Sequence, residues 1–190
     1  METEIQEGEN FHSGFIRLVR KHFHFLELPG EGQSPWMLSF HESIFTEGLG
    51  RPAVLCGYFD VFFRIDFNWE PWDRWLGITA YKLPIEFGFL DRATAQVEKK
   101  QFAPLDWMVA LANPDYKPQF HYQAVWLEEV EAYLCSLSEA MQPVVSKLLG
   151  PDRHADPFQP PDFPFFDEVA ALNLEAFKAR LTHAQLAGSS

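Results

Sequence analysis

The run Asp60-Val61-Phe62-Phe63-Arg64-Ile65-Asp66-Phe67-Asn68-Trp69 sets Val61, Phe63, Ile65, Phe67 and Trp69 in alternation with Asp60, Phe62, Arg64, Asp66 and Asn68. A repeat of two belongs to an extended strand, whose successive side chains leave opposite faces, so one face of this strand must cover a core. Strand texture continues outward over Trp36 to Ile44 and Trp75 to Leu83. The turn-rich segments Glu47-Gly48-Leu49-Gly50-Arg51-Pro52 and Glu70-Pro71-Trp72-Asp73 separate those stretches from it. The simplest product is a three- to four-stranded antiparallel meander over residues 36–83.

The period changes on both sides of the meander. Over residues 10–28, Phe11, Phe15, Leu18, Val19 and Leu26 share one stripe of a helix, with Arg17, Arg20, Lys21 and His24 opposite; Pro29, Gly30 and Gly32 end it. Residues 92–149 read as helical, with a helix around Arg92 to Lys100 and a short one from Leu105 to Asn113. Trp126, Val130, Leu134, Leu137, Met141, Val145 and Leu148 then step by three or four, and Pro143 predicts a kink or break just upstream of itself. The proline-rich segment 157–164 is expected to lie as a strap over the core, because a free linker would leave Phe158 and Phe163 in water. A last helix is expected over 165–186, with Phe166, Ala170, Leu174, Phe177 and Leu181 on one face and Asp162, Asp167 and Glu168 near its start. The expected fold is therefore α+β in a single domain over 1–190: an N-terminal amphipathic helix, the meander, and a helical C-terminal half packed on the sheet.

Composition narrows the function classes. Fifteen Lys and Arg against 27 Asp and Glu give a formal charge of -12, which opposes attraction to phosphate backbones and anionic lipid. Direct nucleic-acid and membrane binding are not expected. The opening METEIQEGEN lacks the basic and apolar pattern of a secretory signal, and no apolar stretch reaches the roughly 20 residues that span a bilayer. Cys56 and Cys135 form no C-x-x-C pair, so neither a disulfide framework nor a thiolate metal site is indicated, and the expected location is the cytoplasm.

No signature for a cofactor, a metal or a catalytic nucleophile is present. Gly30-Glu31-Gly32-Gln33-Ser34-Pro35 carries proline where a dinucleotide loop needs its third glycine, and neither a phosphate loop nor a G-x-S-x-G elbow occurs. On a helix, His22 and His24 point about 200° apart and cannot chelate one ion; His22 reads as a semi-buried, hydrogen-bonded residue. His41-Glu42 lacks the second histidine of a zincin, since Phe45 stands in its place.

Two groups of residues remain as candidate binding sites. Trp72, Asp73 and Arg74 occupy the turn within the stretch that also holds Trp69 and Trp75, and tryptophan beside charge is the composition of an interface anchor. Trp69 and Trp75 read as closing the end of a hairpin, and Trp72 as the exposed ring. Asp60, Arg64 and Asp66 fall on the polar side of the best strand and could offer two carboxylates and a cation to a ligand; cross-strand charge pairing on a solvated sheet face explains the same pattern better, with no ligand.

Phe15, Leu18, Val19, His22, Phe23, Phe25 and Leu26 before Gly30, followed by aromatic strands, resemble the start of many small uncharacterised bacterial α+β proteins, among them candidate immunity proteins of polymorphic toxin systems. The resemblance covers roughly the first 80 residues and rests on an amphipathic helix and a meander. It implies a cytoplasmic protein that binds and blocks a partner. The first expectation is thus a non-enzymatic interaction protein whose acidic, aromatic-bearing surface docks a basic protein partner such as a toxin domain. The alternative is a small hydrolase or metal-dependent enzyme joining a histidine from among His41, His121 and His154 to carboxylates such as Asp60 and Asp66.

Overall fold

The computed structural model describes residues 11–27, 38–47, 51–60, 62–82, 102–119, 123–124, 126–150 and 162–187. Helix α1 (Phe11–Phe23) runs into a short 3-10 turn, His24–Leu26. Five strands follow: β1 (Ser39–Glu47), β2 (Arg51–Phe59), β3 (Phe63–Glu70), β4 (Trp75–Lys82) and β5 (Phe102–Pro104). They form one antiparallel sheet in sequence order. The α+β architecture and the antiparallel meander are as expected, but the sheet has five strands rather than three to four, β2 and β5 being the two that strand texture did not mark. The former hides in the sequence because Pro52 and Gly57 interrupt its strand texture, and the latter is only three residues long.

Alternation in β3 decides which side of the sheet carries the core. Phe63, Ile65, Phe67 and Trp69 are buried toward the helices. Phe15 and Phe23 of α1 pack on Trp69 and Phe67, at ring-centroid distances of 5.5 and 4.7 Å. The Trp69 indole N–H donates to the Ala124 carbonyl at 3.0 Å, so this ring is buried without an unmet donor.

The helical half covers the same face. It comprises α2 (Leu105–Ala112), α3 (Leu127–Met141), α4 (Val145–Leu149), α5 (Pro164–Ala170) and α6 (Leu174–Ala187). Helix α3 ends at Met141, and a 3-10 turn through Pro143 leads into α4, as the missing proline amide requires. Trp126 does not join the α3 stripe. It precedes the first turn, its backbone N–H donates to the Glu129 carboxylate at 3.1 Å, and its ring is 66% exposed. Phe163 is buried and stacks on Phe63 at 5.1 Å, as the strap requires of that ring, whereas Asp162 is exposed and Pro164 already opens α5; residues 157–161 and the helix expected over 92–100 lie outside the described residues.

The final helix is two helices. Asn173 breaks it by accepting the Ala176 N–H on its side chain at 2.9 Å, an N-cap that the apolar spacing across Ala170 and Leu174 conceals. No helix among the described residues is long and apolar enough to cross a membrane.

The two thiols differ in a way that can be measured. Cys56 lies in the core on β2, and burial, with the Asp66 and Glu42 charges, pushes its thiol well above the ordinary range. Cys135 on α3 is partly exposed. In the folded protein an aromatic disulfide reagent is expected to titrate Cys135 alone, with Cys56 reacting only on addition of denaturant. Rapid titration of both thiols without denaturant would place Cys56 outside the core.

Candidate functional site

The polar side of β3 is not a solvated row of charges. Register aligns His41, Gly57, Asp66 and Thr79 across β1 to β4, so these residues follow one line over the outward face. Gly57 leaves the space through which the His41 ring reaches Asp66: His41 Nε2 lies 3.1 Å from Asp66 Oδ1, which also accepts from Arg64 Nε at 2.6 Å. Asp66 is thereby buried to 8% exposure with two charged or polar donors on one oxygen. Tyr81 pairs with Arg64 across the strands, and burial, with the Asp66 charge, raises its pKa.

Asp60 stands apart from this cluster. Its carboxylate accepts the Phe62 and Phe63 N–H groups, both at 2.8 Å, and closes the turn into β3. Glu42 is exposed on β1 opposite Cys56, one register position from the His41 row. His121 and His154 lie outside the described residues. Of the enzyme constellation, then, the fold joins His41 to Asp66 and adds Arg64.

The hairpin turn holds the second group. Between β3 and β4 the chain reverses over Pro71-Trp72-Asp73-Arg74, with Asp73 N–H donating to the Glu70 carbonyl and Arg74 N–H to that of Pro71. Arg74 adopts a left-handed backbone, φ 55°, where a side chain costs of order 1 kcal/mol relative to glycine. Trp72 is 61% exposed. Trp75 is 46% exposed and does not complete the buried cluster with Trp69, because residue 75 shares the parity of Gly77 and Thr79 while Leu76, Ile78 and Ala80 point inward. Its ring lies over Gly77.

Two clefts open on either side of this turn. Pro71 and Trp72 border an apolar groove of about 420 Å³ with Phe11, Trp69, Trp126 and Leu127, and Glu128 stands at its edge. The neighbouring acids Asp73 and Glu129 are exposed as well. Asp73, Arg74 and Trp75 border a second cleft of about 310 Å³ that runs in to Asp106, Trp107 and Tyr133. Neither has a histidine among its described lining residues, and among the described residues no three acids, histidines or cysteines are gathered as metal ligands.

Two of these residues carry no distinguishing signal in the sequence. Trp126 was hidden because its spacing to Val130 suits a buried stripe, although Glu129 three positions on is the partner of a helix start. Asp106 was hidden because one acid at the head of the apolar run Leu105-Asp106-Trp107-Met108-Val109-Ala110 resembles an ordinary first-turn acid. Comparison with protein-family models, with curated proteins and with solved structures finds no match.

Proposed function

We propose that this chain is a non-enzymatic, cytoplasmic interaction protein that docks a basic protein partner on the tryptophan groove at the end of the β3–β4 hairpin. The observation that carries the reading is the pair of largely exposed indoles, Trp72 and Trp126, facing one apolar groove with Glu128 at its edge. Large exposed rings around an apolar floor are what an interface centre needs, since they desolvate a wide area with little loss of side-chain freedom. The net charge of -12 favours encounter with a positively charged partner and disfavours acidic ones. An immunity-type inhibitor seated on a basic toxin domain is the instance implied by the bacterial resemblance of the N-terminal part.

Catalysis by the His41–Asp66 pair has less support. Asp66 Oδ1 is shared with Arg64, so the carboxylate already carries a neutralising partner, and neither hairpin cleft contains the pair.

The test starts from the partner retained by the immobilised full chain, purified and titrated back in solution. Trp72→Ala and Trp126→Ala are each expected to weaken binding by about 30-fold, equivalent to about 2 kcal/mol, and added salt should weaken it further. An affinity unchanged by both substitutions, or a partner of net negative charge, would overturn the reading.

A further inference from the structure

We infer that the cleft between β4, the head of α2 and α3 is a binding site for an organic cation, a guanidinium or ammonium group seated on Asp106 among the rings of Trp75, Trp107 and Tyr133. This site is separate from the docking groove and stands or falls without it.

The first support is the carboxylate. Asp106 is only 6% exposed, yet it lines the cleft, and no lysine or arginine among the described residues pairs with it. Backbone N–H groups of Trp107 and of Asp106 itself are its hydrogen-bonding support. A carboxylate held this way, with one side open to a cavity and no cation supplied by the described residues, is costly to fold around, because burial disfavours its charged form. Burial accordingly pushes its pKa up to about 7. The cost disappears when a ligand brings the missing positive charge.

The second support is the wall. Tryptophan and tyrosine rings attract a desolvated cation through their π faces. Trp107 is fixed in place by stacking on Phe177, at 4.3 Å and 5° between ring planes, so this side of the cleft is preorganised. Gln119 and Gln123 add amide oxygens that accept the N–H groups of a guanidinium or ammonium. A volume of about 310 Å³ suits such a headgroup with a short stem.

Arg74 at the mouth does not fill the role. It is exposed, and no ion pair joins it to Asp106 among the described residues.

The test titrates the full chain with methylguanidine, with butylammonium, with N-acetyl-arginine amide and with its neutral urea counterpart N-acetyl-citrulline amide, following the Trp75 and Trp107 indole N–H resonances. The three cations are expected to saturate both signals, and the citrulline compound to bind at least about tenfold more weakly. Asp106→Asn should lose at least about tenfold in cation affinity, its fold being verified by an unmoved Trp69 indole signal. The methylguanidine affinity should rise with pH up to about 7 and level off above it as Asp106 ionises. The facing groups are Tyr116 and Tyr133 inside, with Asp73 and Arg74 at the mouth; burial pushes the Tyr116 phenol well above that range. Tighter binding of capped arginine identifies a protein side chain as the natural source of the cation, and tighter binding of methylguanidine or butylammonium a free small molecule. No saturation by any cation, equal binding of the citrulline compound, or full affinity in Asp106→Asn would each overturn the inference. Trp107→Leu, which keeps the carboxylate but removes the ring, is expected to weaken binding by about fivefold.

Discussion

Asp106→Asn is expected to make the protein more stable at neutral and alkaline pH, by roughly 4 kcal/mol at about pH 8, and to leave it unchanged near pH 4. The ordinary carboxyl value of 3.8 applies to the unfolded chain, whereas burial raises the folded value to about 7. Between those two values the folded state holds a proton that the unfolded state has released, so wild-type stability falls as pH rises through about 4 to 7 and is constant above. Asparagine carries no such charge, and its amide oxygen can keep the backbone N–H bonds. Urea denaturation of both proteins at the two ends of that range measures the difference directly. A wild-type protein stabler than the variant at about pH 8 would mean that the carboxylate has a compensating cation in solution. A carboxylate that lowers the stability of the empty protein in this way is the result expected of an unfilled cation site.

Gly57→Ala is expected to have the largest opposite effect. A Cβ at residue 57 would stand 1.9 Å from the Ile65 carbonyl oxygen on β3 and 3.0 Å from His41 Nε2. The ring can swing away, but the carbonyl is backbone within the sheet, so the β2–β3 ladder itself must open. Loss of at least about 3 kcal/mol follows, enough to unfold a protein of ordinary stability. Removing the ring with His41→Ala should therefore not rescue Gly57→Ala. Gly77 supplies the contrast. There an added Cβ meets only the half-exposed Trp75 ring, at 2.4 Å, and the ring can move outward, so Gly77→Ala should cost far less. Comparable losses at both positions in thermal unfolding would contradict the assignment of Gly57 to a backbone approach.

The general plan of the fold was legible because strong periodicities carried it. The alternation from Val61 to Trp69 and the stripe of Phe15, Leu18 and Val19 describe surfaces that need each other, and the structure joins them. Pro143 likewise forced the end of α3 at Met141. The elements that escaped were those where local signals conflict with tertiary context. Strand β2 contains Gly57 because neighbouring backbone and the His41 ring occupy the space of a side chain, a reason invisible without β1 and β3. The break at Asn173 was masked by apolar positions that continue across it.

The candidate sites were legible in part for the same reason. Trp72 could be placed in the turn because Pro71 marks a chain reversal, and exposure follows from that position. The groove around it needed Phe11 and Trp126, which are distant in sequence and meet only once α1 and α3 cross the sheet. The His41–Asp66–Arg64 cluster depends on cross-strand register, which alternation alone does not specify. Asp106 differs from any helix-capping acid only through what surrounds it, so nothing in the sequence around it sets it apart.

The docking surface is tested most directly by the indole N–H spectrum of the full chain in complex with its purified partner. Trp72 and Trp126 should shift together and become protected from solvent exchange, while the Trp69 signal, already buried and bonded to Ala124, stays in place. Unmoved Trp72 and Trp126 signals, with the perturbation centred on His41, Arg64 and Asp66 instead, would contradict the account.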